Sequence, residues 1–167
     1  RVPAYPFERA NAWYSSYGKP EEQVQTLIYL GRSHANDGDS DKAMSIYTTA
    51  LEIVNTNKLY NLVGYPYSYM GDLYREKAMR TEAIEKYEMA ADYFKKENNT
   101  DSYACALRDI GREYACIDSI PRALEILFMA NSIAETSEDK DVKASIANTL
   151  GNIYVMQAKY AKAKKFF

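Results

Sequence analysis

The sequence predicts an all-α solenoid in which antiparallel helix pairs stack on one another. Glycines recur every forty residues, at Gly31, Gly71, Gly111 and Gly151, and an alanine follows each of them twelve residues later. Between these positions apolar residues recur at helical spacing, and no stretch shows the apolar–polar alternation of a strand. A period of roughly 20 to 50 residues is typical of stacked units, none of which buries its apolar face alone.

The repeat divides the chain into five segments, built from helices of about 15 to 18 residues. We expect residues 1–19 to hold the second helix of a partial repeat. Complete repeats are predicted at 20–58, 59–98 and 99–138, and a truncated repeat at 139–167. The chain is therefore interpreted as one array rather than as separate domains.

Residues that start or stop helices lie at the predicted boundaries. Gly18 and Pro20 separate the first two helices, and the run Asp-Gly-Asp-Ser at 37–40 separates the next two. The run Asn-Asn-Thr-Asp at 98–101 opens the third complete repeat. Pro121 falls in the first turn of the helix that follows, where the N–H that proline lacks would have no intrahelical partner.

Composition and charge argue against several classes of function. The chain is 47% apolar and 26% charged with a formal net charge of −2, so we expect a folded chain without the basic surface that binds nucleic acid or anionic membranes. Its two cysteines and single histidine have no metal-ligand spacing. The sequence also lacks a phosphate-binding loop and a nucleophile beside a base. We therefore expect no enzyme activity, no cofactor and no metal, and the compartment stays open between cytoplasm and periplasm.

A short motif surrounds each glycine and each following alanine. The glycine motifs are Leu30-Gly31-x-x-His34, Met70-Gly71-x-x-Tyr74, Ile110-Gly111-x-x-Tyr114 and Leu150-Gly151-x-x-Tyr154. The alanine motifs are Ala43-x-x-x-Tyr47, Ala83-x-x-x-Tyr87, Ala123-x-x-x-Leu127 and Ala163-x-x-x-Phe167. Over essentially the whole chain they resemble the two helices of the tetratricopeptide repeat (TPR) family. The resemblance implies a right-handed superhelix, although the period is longer than the family's usual length of about 34 residues.

The register of these motifs places both ends of the chain inside the array. Phe7 and Ala10 stand forty residues before Tyr47 and Ala50, and Phe167 is the equivalent of Tyr47. We therefore expect the sequence to be part of a longer protein that carries further modules. The uncapped ends of the array would offer a surface for homo-oligomer contacts.

The TPR resemblance also implies where a ligand binds. In that family the first helices of successive pairs line a concave groove, and six positions around each glycine face it. The polar, aromatic and charged candidates at these positions are Tyr29, Arg32, Asn36, Tyr65, Tyr69, Asp72, Arg75, Glu76, Arg108, Asp109, Arg112, Asn148 and Asn152. Tyrosines suit the packing of a peptide, arginines a carboxylate, and asparagines an extended backbone. Alternatively, Asp72, Glu76 and Asp109 pair with the arginines across adjacent helices and neutralise an unliganded groove.

These observations predict a non-catalytic module that binds a protein or an extended peptide. The chain is similar to bacterial TPR arrays of transcriptional regulators, which implies the sensor or scaffold part of a larger bacterial regulator. Two alternatives stay open, namely a peptide-pheromone-sensing TPR regulator and a structural spacer with no ligand in its groove. Binding of chaperone tails is disfavoured because the matching columns lack lysine. His34 occupies a tyrosine column, which favours packing over catalysis.

Overall fold

The computed structural model describes residues 4–157, and within this range every regular element is helical. Eight α-helices and one 3-10 turn follow in chain order: α1 (Ala4–Tyr17), α2 (Pro20–Asn36), α3 (Ser40–Asn57), the 3-10 turn (Tyr60–Leu62), α4 (Gly64–Glu76), α5 (Arg80–Lys96), α6 (Thr100–Cys116), α7 (Ile120–Ala134) and α8 (Lys140–Met156). The all-α prediction is confirmed. The second helix of the truncated repeat, with Ala163 and Phe167, lies outside the described residues.

The turns between helices repeat the forty-residue period of the sequence. Within a repeat, Gly38, Ala78 and Asp118 adopt left-handed φ values of 87°, 57° and 60°. Between repeats, Lys58 and Asn98 do the same, with φ values of 58° and 55°. A left-handed residue just after a helix reverses the chain and lets the turn satisfy the last carbonyl groups. Glycine occupies only the first of these positions, so the other four residues adopt a conformation that L side chains disfavour.

Gly71 of α4 and Gly111 of α6 each lie against the residue sixteen positions later in the sequence. A Cβ atom built on Gly71 would lie 2.6 Å from Cε1 of Tyr87, and one on Gly111 would lie 2.6 Å from Cγ of Leu127. The backbone oxygen of Ala123 lies 3.2 Å from the same point on Gly111. The glycine and alanine columns therefore mark where the two helices of a pair approach most closely, because bulkier side chains would push them apart.

First helices of neighbouring repeats meet at two places in the described part of the array. α2 contacts α4, and α6 contacts α8. α2, α4 and α6 also contact the second helices of their own pairs, α3, α5 and α7. The large core side chains Tyr47, Tyr87, Leu127 and Ile146 are almost completely buried between the helices. The side on which the first helices meet, called the inner face below, is where the TPR resemblance predicts the groove.

α4 is shorter than the predicted 15 to 18 residues. It has 13 residues and begins at Gly64, after the 3-10 turn. The left-handed Lys58 ends α3, and Pro66 lies in the first turn of α4, where a missing N–H is tolerated. A Cβ atom on Gly64 would lie 2.5 Å from Cε1 of Phe94, so glycine allows the start of α4 to pack directly on α5.

Candidate functional site

Three adjoining depressions open along α2, two of them on the inner face where α2 meets α4 and the third between α1 and α2. Their volumes are about 340, 210 and 160 Å³, and the side chain of Arg32 lines all three. The other residues used below are, in the first, Gln25, Ile28, Tyr29, Leu62, Tyr65 and Tyr69. In the second they are Asn36, Tyr47, Tyr69, Asp72, Arg75 and Glu76, and in the third Phe7, Tyr29 and Asn36. These depressions are called the Arg32 groove.

Eight of the thirteen predicted binding residues line the Arg32 groove: Tyr29, Arg32, Asn36, Tyr65, Tyr69, Asp72, Arg75 and Glu76. The other five lie elsewhere on the first helices. Arg108, Asp109 and Arg112 belong to α6, while Asn148 and Asn152 are exposed on α8. The structure therefore brings the predicted residues of the first two complete repeats together. That these residues bind a ligand stays a prediction.

Three tyrosine rings form the walls of the Arg32 groove, and each rests on another ring. Tyr29 is 52% exposed and stacks on Phe7 of α1 with 6.1 Å between ring centroids. Tyr69 stacks on the buried Tyr47 at 5.7 Å. Tyr65 packs edge-on against a phenylalanine of α5 at 5.0 Å, and its hydroxyl accepts a hydrogen bond of 3.0 Å from the Asn99 amide. The rings are thus held in place before any ligand arrives, which reduces the entropy lost on binding.

Arg32 lies at the junction of the three depressions and is exposed. Its Cζ atom lies 5.2 Å from the centroid of the Tyr69 ring, which is the geometry of a cation–π contact. Among the residues that the structure describes, no carboxylate oxygen lies within 4.0 Å of its guanidinium nitrogens. Burial raises the pKa of the Tyr69 hydroxyl, so this ring stays neutral and leaves the charge of Arg32 uncompensated.

The other arginines predicted for the groove are bound to carboxylates. Arg108 donates to Asp109 through Nε at 3.0 Å and through Nη2 at 2.9 Å, and Arg112 lies 2.9 Å from the same carboxylate. Arg75 lies 3.1 Å from Asp72. The alternative of neutralising pairs is therefore correct for these three arginines. It is wrong about which helices are joined, because each arginine pairs with an aspartate of its own helix, within α4 or within α6, and not with one of an adjacent helix.

Asp109 requires a correction to its predicted placement in the groove. Its carboxylate lies beneath the two guanidiniums of α6, and the residue is only 6% exposed. Arg108 also donates from Nη1 to the Ser145 hydroxyl at 3.0 Å, which ties α6 to α8. Asp109 therefore holds arginines in position and does not itself face a ligand. Glu76, by contrast, is exposed at the edge of the Arg32 groove, as predicted.

A buried glutamate extends this charged network and was not among the predicted residues. Glu113 is completely buried on α6, and Arg80 of α5 donates to its Oε2 from Nη1 at 2.7 Å. Arg112 lies 3.5 Å from its other oxygen. The equivalent positions in neighbouring repeats hold Leu73 and Ile153. The first complete repeat has Ser33 there, so a charged residue in an otherwise uncharged column was the signal in the sequence that could have revealed it.

His34 is packed, as its position in a tyrosine column predicts. It is 6% exposed, and its Nε2 lies 3.7 Å from the Glu8 carboxylate of α1. Within residues 4–157 no group of three potential ligands could hold a metal ion, and no helix is both long and apolar enough to cross a bilayer.

A known family of helical repeats matches one of the stacked helix pairs. Residues 26–59, which cover most of α2 and all of α3, match the family model described as a tetratricopeptide repeat. Residues 26–59 form a tetratricopeptide repeat. The resemblance stated from the glycine and alanine motifs is therefore confirmed. TPR arrays form extended concave surfaces that serve protein interaction, so this fold supports a protein-interaction module and is generally a non-catalytic scaffold.

Solved structures confirm the TPR solenoid along the whole array. BtubC from P. vanneervenii superposes with a TM-score of 0.78 at 18% identity, over 96% of this chain and 70% of that one. A signal transduction ATPase with numerous domains from Pyrococcus horikoshii, described as having a tetratricopeptide repeat sensor, gives a TM-score of 0.76 at 17% identity. There the match covers 98% of this chain and 25% of that chain.

A curated relative matches a shorter part of the TPR chain. The photosystem I assembly protein Ycf3 of Rippkaea orientalis is 30% identical over 78 residues. The match covers 46% of this chain, and the chain spans 45% of the length of that relative.

Proposed function

We propose that this TPR chain is a protein-interaction module that holds an extended segment of a partner protein in the Arg32 groove. The observation that carries the proposal is the convergence of three depressions on one unpaired arginine between rings that are already fixed. Rigid tyrosines supply large contact areas at low entropic cost, and a concave first-helix face matches the shape of an extended chain. The fold and the groove thus favour recognition over a purely structural role.

We further propose that the module is the sensor or scaffold part of a larger bacterial regulator. Two facts support this. The chain spans less than half of the curated relative Ycf3, and it covers a quarter of a multidomain ATPase that is described as having a TPR sensor. In such an arrangement, the Arg32 groove reads a partner and other parts of the protein respond.

A peptide selection tests the groove directly. The 167-residue chain is immobilised and presented with a displayed library of random dodecapeptides, and enriched peptides are measured by fluorescence anisotropy. Tyr29→Ala and Tyr69→Ala should weaken their binding about tenfold or more, because aromatic anchors dominate such interfaces. Phe128→Ala on α7 is the matched control, since that ring is 47% exposed and lines none of the three depressions. No enrichment, or equal binding by all variants, would favour the spacer alternative.

A further inference from the structure

We infer that the segment bound in the Arg32 groove carries a carboxylate side chain that pairs with Arg32, next to an aromatic or aliphatic side chain that packs among Tyr29, Tyr65 and Tyr69. The inference rests on the proposed function, because it names the class of segment that the same groove takes. Three features of the groove support it: the charge of Arg32, the orientation of its guanidinium and the composition of the depressions on either side.

The charge of Arg32 is available to a ligand, whereas the other arginines of the inner face are occupied. Arg75, Arg108 and Arg112 each lie within 3.1 Å of an aspartate of their own helix. Arg32 is exposed and lacks such a partner among residues 4–157. It is also the one charged residue that lines the first depression. A carboxylate placed there gains a charge-assisted hydrogen bond and an ion pair without breaking an existing pair.

The cation–π contact orients Arg32 for this pairing. Its guanidinium lies over Tyr69, with Cζ 5.2 Å from the ring centroid, and Tyr69 itself is fixed by stacking on Tyr47. A guanidinium is planar, and its N–H donors project from the edge of the plane. Arg32 has five N–H donors and contacts a single ring, so donors remain available to fork a carboxylate. The contact with Tyr69 also limits the side-chain entropy that Arg32 loses when it pairs.

The first depression provides the apolar site beside the charge. It has a volume of about 340 Å³ and is walled by three tyrosines together with Ile28 and Leu62. This volume is at the lower end of the roughly 300–1,000 Å³ that is typical of ligand clefts. It suits one large apolar side chain and the backbone beside it. Tyrosine hydroxyls and the Gln25 amide at the rim can bond that backbone.

The second depression, on the other side of Arg32, determines which charges the segment can carry beyond its acidic side chain. It contains Glu76, which is exposed and has no ion pair among the described residues, and Asp72, whose charge is compensated by Arg75. A second acidic side chain in this direction would be repelled by Glu76. We therefore expect the preferred segment to present an apolar, an acidic and then a neutral or basic side chain along the groove.

The test compares parallel selections with random dodecapeptides on the wild-type chain and on Arg32→Glu. The wild type should enrich peptides with Asp or Glu beside an aromatic or aliphatic residue, and Arg32→Glu should replace that acid by Lys or Arg. An individual wild-type peptide should bind Arg32→Glu at least about tenfold more weakly, as truncation or reversal of a paired charge does elsewhere. Lys143→Glu is the matched control, because it changes the net charge equally at an exposed position of α8 outside the groove.

A double-mutant cycle measures the interaction between Arg32 and the carboxylate. It combines Arg32→Gln with a peptide in which the acidic residue is replaced by its amide. Each single change should weaken binding, and the second change should add little once the first is made. If peptides bind and Tyr69→Ala weakens them while Arg32→Glu does not, the carboxylate inference is overturned and the proposed function stands. If no peptide is enriched, or the tyrosine variants bind equally well, both fail. Circular dichroism of each variant confirms that the fold is intact.

Discussion

Replacing Gly71 by alanine tests the contact that gives the chain its forty-residue period. The new Cβ atom would lie 2.6, 2.7 and 3.0 Å from Cε1, Cδ1 and Cζ of Tyr87. Tyr87 cannot easily move away, because it is fully buried and its hydroxyl donates to Asp72 at 2.7 Å and accepts from Arg75 at 3.3 Å. The ring must therefore shift within a closed site, and its hydrogen bonds must distort with it.

The magnitude follows from opposing contributions. Overpacking a core costs about 1–3 kcal/mol, and a weakened hydrogen bond adds about 1 kcal/mol. Alanine is favoured over glycine inside a helix by about 1 kcal/mol, which offsets part of that cost. Gly71→Ala should therefore lower the free energy of unfolding by about 1–3 kcal/mol. Urea denaturation followed by circular dichroism measures the change as a shift in the midpoint.

A second background separates the clash from other effects of the substitution. Tyr87→Val removes the three ring atoms that the new Cβ atom would meet. In that background only the helix propensity of alanine remains, so Gly71→Ala should be neutral or stabilising by up to about 1 kcal/mol. The reasoning is refuted if Gly71→Ala has the same effect with Tyr87 present and with Tyr87→Val, since the packing of glycine on the ring would then not determine the residue.

Three further outcomes are expected. Ala78→Gly should raise the unfolding free energy by up to about 1 kcal/mol, because φ is 57° at this turn, and a lower urea midpoint would contradict the assigned conformation. Arg80→Met should lower it by about 3 kcal/mol by leaving buried Glu113 without its closest partner, an effect that Glu113→Leu should largely reverse in the double variant. Burial raises the pKa of the Cys105 thiol, so iodoacetamide should label the exposed Cys116 first, as mass spectrometry of digests would show; equal rates would refute the difference in burial.

Much of the fold can be predicted from the sequence because the same interhelical contact recurs in each repeat. Glycine, alanine and the large side chain sixteen residues after the glycine are three parts of one interhelical contact, so their spacing predicts helices, pairs and stacking together. The shorter α4 escaped prediction because its start depends on a non-glycine residue in a left-handed turn, Lys58, and on the tertiary contact of Gly64 with Phe94. Neither has a distinctive local pattern.

The sequence predicts where the residues of the candidate site lie, but it does not predict which arginines form ion pairs. The columns relative to each glycine place Tyr29, Tyr65 and Tyr69 together on the inner face, because helical geometry alone decides the side on which a residue lies. Which arginine remains unpaired depends on rotamers and on carboxylates within reach. Arg32 and Arg112 occupy the same column, yet Arg112 reaches Asp109 at 2.9 Å and Arg32 lies over the ring of Tyr69.

Ionic strength should act differently on the two charge systems of the inner face. The carboxylates of Asp109 and Glu113 are enclosed, and mobile ions do not reach between them and their guanidiniums. Arg32 is exposed, so an ion pair formed there falls within the range of screening, for which the Debye length is about 8 Å at physiological salt. Added salt would therefore release a bound segment, while the ion pair that joins α5 to α6 and the ion pairs within α6 persist. Salt concentration would therefore set the affinity of the Arg32 groove for its segment without loosening the helices that form the groove.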